Sequence, residues 1–176
     1  MVAQLHSEQF YCERFNSPIG WMQIVIDAEE RLRAADWEDK GDRMRRLLRL
    51  HYGESIAIQA TDVPSSARRA FEAYFDGELQ AIETVRTATR GTDFQRQVWA
   101  ALRTIPVGST VSYGQLANRI GRPAAVRAVG AANGANPIPV VVPCHRVIGA
   151  DASLTGFGGG LERKRWLLAH EGMLEV

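Results

Sequence analysis

The chain has 176 residues, 45% of them hydrophobic and 23% charged, with a formal net charge of +1. That balance belongs to a folded globular protein of one ordinary domain or two small ones, and it excludes intrinsic disorder. No apolar run approaches the ~18 to 20 residues a membrane span requires, and the N-terminus lacks a basic flank followed by an apolar segment, so a cytoplasmic protein without membrane attachment is expected.

Two cysteines, Cys12 and Cys144, make neither a disulfide framework nor a structural zinc site, so no metal is expected. The net charge hides an asymmetry. Residues 1–89 carry 11 basic against 15 acidic side chains, whereas residues 90–176 carry 10 against 5. The second half is therefore the basic one, a modest excess compatible with phosphate contacts or with solubility alone.

In chain order, Phe10 to Phe15 and Trp21 to Ile26 flank the turn composition Asn16-Ser17-Pro18-Ile19-Gly20 and predict a hairpin. Arg31 to Trp37 reads as a third strand. Met44, Leu47, Leu48 and His51 form the stripe of an amphipathic helix that stops at Gly53. Its arginines, Arg43, Arg45, Arg46 and Arg49, are expected on a solvated face. A shorter helix covers about Ser66 to Phe75, Ala81 to Arg86 alternates like a final strand, and Thr87 to Gly91 suits a linker. This half shows no catalytic constellation and is expected to be a support domain, residues 1–88.

Residues 89–176 open with Thr92-Asp93-Phe94-Gln95, a capping-box pattern starting a helix through Phe94, Val98, Leu102 and Ile105. Ser112-Tyr113-Gly114-Gln115 repeats that pattern for a short helix to about Ile120. Gly121-Arg122 is a tight break, and Pro123 suits the first turn of a second helix, Ala124 to Asn133. Two short helices joined by a glycine-containing turn are the outline of a helix-turn-helix. Ala124, Ala125, Ala128, Gly130, Ala131 and Ala132 leave the second helix nearly without bulk, with Arg127 as its one long polar side chain. Small residues permit close approach to another surface, either the protein's own core or a DNA groove.

The apolar run Ile138 to Val142 then delivers Pro143-Cys144-His145-Arg146. A thiol attacks as thiolate, and a neighbouring base or positive charge populates that form at neutral pH. On a continuous strand Cys144 and His145 would face opposite ways, so the chemistry requires a turn here or a water between the two groups. A cysteine on its own is equally a small buried hydrophobe. The flanking residues favour the nucleophile.

Pro143-Cys144-His145-Arg146-Val147-Ile148 resembles the active-site signature of the O6-alkylguanine-DNA alkyltransferases. Asn136-Pro137-Ile138-Pro139, Gly156-Phe157-Gly158-Gly159-Gly160 and Leu167-Leu168-Ala169-His170-Glu171-Gly172 are similar to the same family, so the resemblance spans roughly residues 90–172. It implies single-use transfer of an alkyl group, typically methyl, from O6 of guanine or O4 of thymine in DNA to Cys144. It implies no cofactor. The partner would be double-stranded DNA containing alkylated guanine, bound by a monomer, with cooperativity along DNA undecided.

The resemblance also assigns roles. His145 would act as base through a bridging water, Glu171 would hold the imidazole, and Asn136 would brace the turn. The helix carrying Arg127, Ala128, Gly130, Ala131 and Asn133 would enter the minor groove, Arg127 filling the space of a flipped nucleotide, because a stacked guanine cannot present O6 to a buried thiol. Tyr113 would crowd the target phosphate and assist departure of guanine. Backbone at Cys144 and Val147 would read the base, and Phe157, Gly158 and Gly159 would close over it. Many relatives carry tyrosine and serine where this chain has Phe157 and Gly158, so hydroxyl contacts from those positions are absent while the Gly158 amide can still donate.

Two other readings use the same residues: a lesion-binding module without transfer, against which the presence of Cys144 counts, and a cysteine hydrolase of acyl substrates, which leaves Arg127 and the small-residue helix unexplained. The expected fold is α+β. A small antiparallel sheet with helices precedes a mostly helical part that holds a winged helix-turn-helix, an active-site strand and a terminal helix.

Overall fold

The computed structural model describes residues 8–173, so part of the N-terminal segment considered above lies outside the described residues. The hairpin forms from β1 (Gln9–Ser17) and β2 (Gly20–Asp27), paired antiparallel from Phe10 opposite Asp27 to Ser17 opposite Gly20. Its tight turn is closed by the Ser17 hydroxyl, which donates to the Gly20 carbonyl at 2.6 Å, and Gly20 takes the positive φ of 119° that the turn requires. Strand β3 (Leu32–Trp37) adds antiparallel to β2, and all six of its residues are buried.

The outer edge of β3 is covered rather than open. Leu32 donates to the Arg86 carbonyl at 2.8 Å and accepts from Ala88 N–H at 3.1 Å, while Ala35 N–H donates to the Pro137 carbonyl at 2.9 Å. The segment read as a linker thus caps a strand edge, as does the stretch leading to Cys144.

The fourth strand is not the expected one. Residues Leu79–Thr84 form a 3-10 helix, and Leu79, Ile82 and Val85 recur every three residues, the period of that helix and not of a strand. Strand β4 (Ala57–Ala60) instead pairs parallel with β1, giving the order β3-β2-β1-β4. All four of its residues are exposed, so it carries no alternation to recognise. Helix α1 (Gly41–Tyr52) buries Met44 and Leu48 and ends at Gly53, with φ of 81°. Helix α2 (Ser66–Phe75) is capped by the Ser65 hydroxyl, and the buried Glu13 carboxylate accepts Ser65 N–H at 2.7 Å, tying this helix to β1.

Helices α3 (Asp93–Leu102) and α4 (Tyr113–Arg119) both begin with complete capping boxes, Thr92 with Gln95 and Ser112 with Gln115. Helix α3 stops at Leu102, and two tight turns beyond it carry Ile105 into the core. Helix α5 (Val126–Gly134) starts two residues later than expected. Pro123 sits inside a turn closed by Ala125 N–H to Arg122 O at 2.9 Å, a position its fixed φ suits equally well. Two-residue strands β5 (Val111–Ser112) and β6 (Val147–Ile148) pair in parallel, and α6 (Leu161–His170) closes the chain. The expected active-site strand is absent from residues 138–146, where Cys144–Arg146 form a 3-10 turn. One apolar core draws on both halves, with Phe15, Trp37 and Phe71 joining Leu102, Val142 and Leu167. The architecture is mixed α+β, a small sheet with helices.

Candidate active site

Asn136 organises the backbone before the thiol. Its Nδ2 donates to the Val142 carbonyl at 2.8 Å and its Oδ1 accepts Ile138 N–H at 3.0 Å, while Val142 N–H closes onto Ile138 O at 3.0 Å. Inside that loop Val140 is held at φ of 75°, a conformation β-branched residues avoid at a cost of about 1–3 kcal/mol. The chain then turns, with Cys144 N–H bonding to Val142 O at 2.8 Å and Arg146 N–H to Pro143 O at 3.0 Å. This turn supplies the divergence that a strand could not: Cys144 opens on a cleft, whereas His145 and Arg146 are 0% and 3% exposed in the core.

Behind the thiol, Glu171 gathers three partners at the C-terminal end of α6. It accepts from Tyr74 Oη at 2.8 Å, lies 2.7 Å from His145 Nε2, and is forked by Arg146 Nε and Nη2 at 2.9 Å each. Burial pushes its carboxyl up, but the hydrogen bonds of His145 and Arg146 and the Arg146 charge hold it at about 2, so it is a carboxylate. Burial lowers the His145 pKa against the opposing pull of Glu171, which keeps the ring neutral. With Nε2 donating to Glu171, Nδ1 carries the free lone pair, and this buried atom makes no hydrogen bond to protein.

Arg146 does not serve as the cation beside the thiol. Its remaining Nη1 donates to Ile105 O at 2.6 Å, and its charge is spent on Glu171. Burial raises the Cys144 thiol, and the opposing influences are the Asn136 amide and the positive charges of Arg43 and Lys164. Lys164 is wholly buried, donating to Val147 O at 2.6 Å and Thr155 O at 2.8 Å. Burial brings its pKa down to about 8, with the thiol pulling the other way.

The cleft in front of Cys144 has a volume of about 560 Å³, within the range of small-ligand sites, and its walls include Tyr113, Gly130, Asn133, Asn136 and Phe157. Gly130 of α5 faces the Tyr113 ring, where an added Cβ would stand 3.8 Å away, in ordinary van der Waals contact. The Tyr113 hydroxyl accepts from Thr155 Oγ1 at 3.0 Å, and Phe157 packs edge-on to Trp37 with centroids 6.0 Å apart. Gly158 lines the same cleft, while Gly159 lies buried against Trp37 and Phe157. Arg127, Ala128 and Ala131 are exposed on α5 and do not line the cleft. Val147 is buried, and its carbonyl is already engaged by Lys164.

Three site residues escaped the sequence reading. Arg43 is no part of a solvated face: it pairs with buried Asp36 at 2.8 Å and lines the cleft, whereas Arg45, Arg46 and Arg49 are exposed. Tyr74 comes from the half expected to lack site chemistry. Lys164 had a legible signal, because Lys164, Leu167, Leu168 and Glu171 fall at i, i+3, i+4 and i+7, which places a lysine on the apolar stripe.

The fold and site define a mixed α+β protein that presents one buried thiol to a cleft between two short helices and a glycine-rich loop, with a His–Glu–Arg cluster behind it. A family model described as 6-O-methylguanine DNA methyltransferase, DNA binding domain, matches residues 93–173. The methylated-DNA–protein-cysteine methyltransferase of Salmonella typhimurium is 53% identical over 164 residues, covering 92% of this chain and 95% of its own. That of Haemophilus influenzae is 41% identical over 161 residues, covering 92% and 86%. The crystal structure of Mycobacterium tuberculosis OGT in complex with DNA superposes with a TM-score of 0.75 at 43% identity, covering 92% of both chains. The O6-methylguanine-DNA methyltransferase of Pyrococcus kodakaraensis gives 0.68 at 26%, covering 93% of this chain and 99% of that one. The chain belongs to the methylated-DNA–protein-cysteine methyltransferase family.

Proposed function

We propose that this protein repairs DNA by moving an alkyl group, typically methyl, from O6 of guanine, or O4 of thymine, onto Cys144. The observation that carries the reading is the Cys144 thiol opening on a base-sized cleft while His145 and Glu171 stand behind it. The thiol proton passes to His145 Nδ1 through a bridging water, and Glu171 holds the imidazolium that forms. The thiolate Sγ attacks the methyl carbon, forming a thioether C–S bond as the C–O6 bond breaks and its electron pair returns to guanine. Tyr113 assists departure by donating a proton to the base. Asn136 holds the turn that aims Sγ.

Helices α4 and α5 act as a winged helix-turn-helix on the minor groove of double-stranded DNA. The exposed face with Arg127, Ala128 and Ala131 fits that use: small residues allow close approach, and Arg127 fills the gap left by a flipped nucleotide. Gly130 and Asn133 line the way from that groove to the thiol. Phe157, Gly158 and Gly159 close over the base, and backbone at Cys144 and Val147 reads its edge. Residues 89–176 form the DNA-binding and catalytic part and residues 1–88 the supporting part, in a monomer working in the cytoplasm.

A thioether has no carbonyl for water to attack, so each molecule transfers once. Intact mass after mixing with an oligonucleotide containing O6-methylguanine tests the whole reading. The expected result is a gain of one methyl mapped to Cys144, stoichiometric with restored guanine. Unchanged mass with retained binding would replace transfer by lesion recognition, unchanged mass without binding would point to a hydrolase, and turnover of excess substrate would remove the single-use step.

A further inference from the structure

The guanidinium of Arg43 and the missing side chain of Gly158 share one volume. Arg43 lies in the first turn of α1, in the opposite half of the chain from Cys144, and its Nε donates to Asp36 Oδ2 at 2.8 Å. Asp36 is 1% exposed and its other oxygen accepts Trp37 N–H at 3.0 Å, so the carboxylate that anchors Arg43 is itself fixed on β3. From that anchor the guanidinium reaches the cleft that holds Cys144. A Cβ built on Gly158 would coincide with Arg43 Nη1. The backbone at Gly158 is not in the left-handed region, so space and not φ demands glycine here. Among the described residues, Arg43 Nη1 and Nη2 donate no hydrogen bond to protein, which leaves both amino groups of the planar fork available to whatever fills the cleft.

We propose that Arg43 is a specificity-determining residue of the transfer site, forming the wall that a side chain at position 158 would otherwise build and presenting its free N–H donors to the acceptor edge of the bound base. This rests on the transfer reading above. An arginine fork matches the O6 and N7 acceptors of guanine. When the methyl leaves, the C–O6 electron pair returns to the base, so the donors gain strength as charge develops at O6. The loop can therefore dispense with a hydroxyl at 158. The positive charge also opposes the rise of the buried thiol.

The test uses the full chain as wild type, Arg43→Ala, Arg43→Lys, Gly158→Ser and the Arg43→Ala/Gly158→Ser pair. Single-turnover methyl transfer from an O6-methylguanine oligonucleotide is measured at saturating DNA, with oligonucleotide affinity and melting temperature beside it. Arg43→Ala is expected to slow transfer about 10- to 100-fold with affinity changed less than about threefold. Arg43→Lys, which keeps a charge for Asp36 but not the fork, retains the melting temperature and still transfers slowly. Gly158→Ser slows the wild type because serine must displace the guanidinium, yet it changes the Arg43→Ala rate by less than about twofold, a non-additive pair. Should Arg43→Ala not fold, the Arg43→Lys and Gly158→Ser rates decide alone. Wild-type rates in both single replacements, additive effects, or losses that merely follow melting temperature overturn the proposal. A wild type that leaves Cys144 unmethylated sinks the parent reading instead.

Discussion

Tyr74 donates its hydroxyl to Glu171 Oε1 at 2.8 Å, so a helix of the first half reaches the carboxylate that also holds His145 and Arg146. The site is thus assembled across the shared core, and perturbing either half reaches the chemistry. Tyr74→Phe removes one charge-assisted hydrogen bond to a carboxylate that keeps two other partners. It is expected to lower stability by about 1–3 kcal/mol in urea unfolding and to slow methyl transfer by less than tenfold.

Glu171→Gln should do far more. It leaves the Arg146 guanidinium buried without a counter-charge, a loss of about 3–5 kcal/mol, and it deprives His145 of the group that fixes its tautomer. Transfer should fall by roughly 10²-fold or more in single-turnover assays. A variant with wild-type rate would show that the imidazole needs no such partner.

Acid should unfold this protein through the same cluster. The Glu171 carboxyl is held at about 2 against an ordinary value of 4.5, so the unfolded chain binds the extra proton as pH falls through that window. The stabilisation is complete above pH 4.5 and is lost toward pH 2. His145, whose pKa is lowered from 6.5 by burial, acts in the same direction, its contribution fading as pH drops below 6.5. Melting temperature measured from pH 7.5 down to 3 should fall steadily; a flat profile would contradict the assignment.

Lys164→Met keeps the volume of the stem but strips donors from the Val147 and Thr155 carbonyls, which lie 2.6 and 2.8 Å from Nζ. Two under-satisfied carbonyls cost about 2–4 kcal/mol, read by chemical denaturation. Loss of the cation facing Cys144 should also move the pH profile of iodoacetamide labelling at that thiol upward.

On the proposed reading, Arg127→Ala separates extrusion of the base from the chemistry. The side chain is exposed on α5 and does not line the cleft, so transfer from a free O6-alkylguanine base should be unchanged. Transfer from duplex DNA should slow by about tenfold or more, because the unstacked state costs a few kcal/mol and loses its wedge. Equal losses with both substrates would place Arg127 in the chemistry.

Local signals were readable because they are written within a few residues. Capping boxes at Thr92 and Ser112 depend on contacts three residues apart, and the β1–β2 hairpin on a turn composition between alternating strands. The misread stretches fail for equally local reasons: the spacing of three at Leu79, Ile82 and Val85 shows only when the window reaches back to Leu79, and β4 is exposed on both faces.

The sequence by itself determined the Pro143–Arg146 motif with its candidate nucleophile Cys144, the small-residue helix with Arg127, and the order of helices around them, since motif, cap and periodicity are properties of short segments. Only the tertiary structure decided which charges meet Cys144. Arg43 looks like one more arginine on an amphipathic helix until Asp36 on β3 and the empty side of Gly158 claim it, and Arg146 looks like the thiol's cation until Glu171 turns it away. A buried charge is tolerable only where its partners converge from distant parts of the chain, and that convergence is a property of the packed core alone.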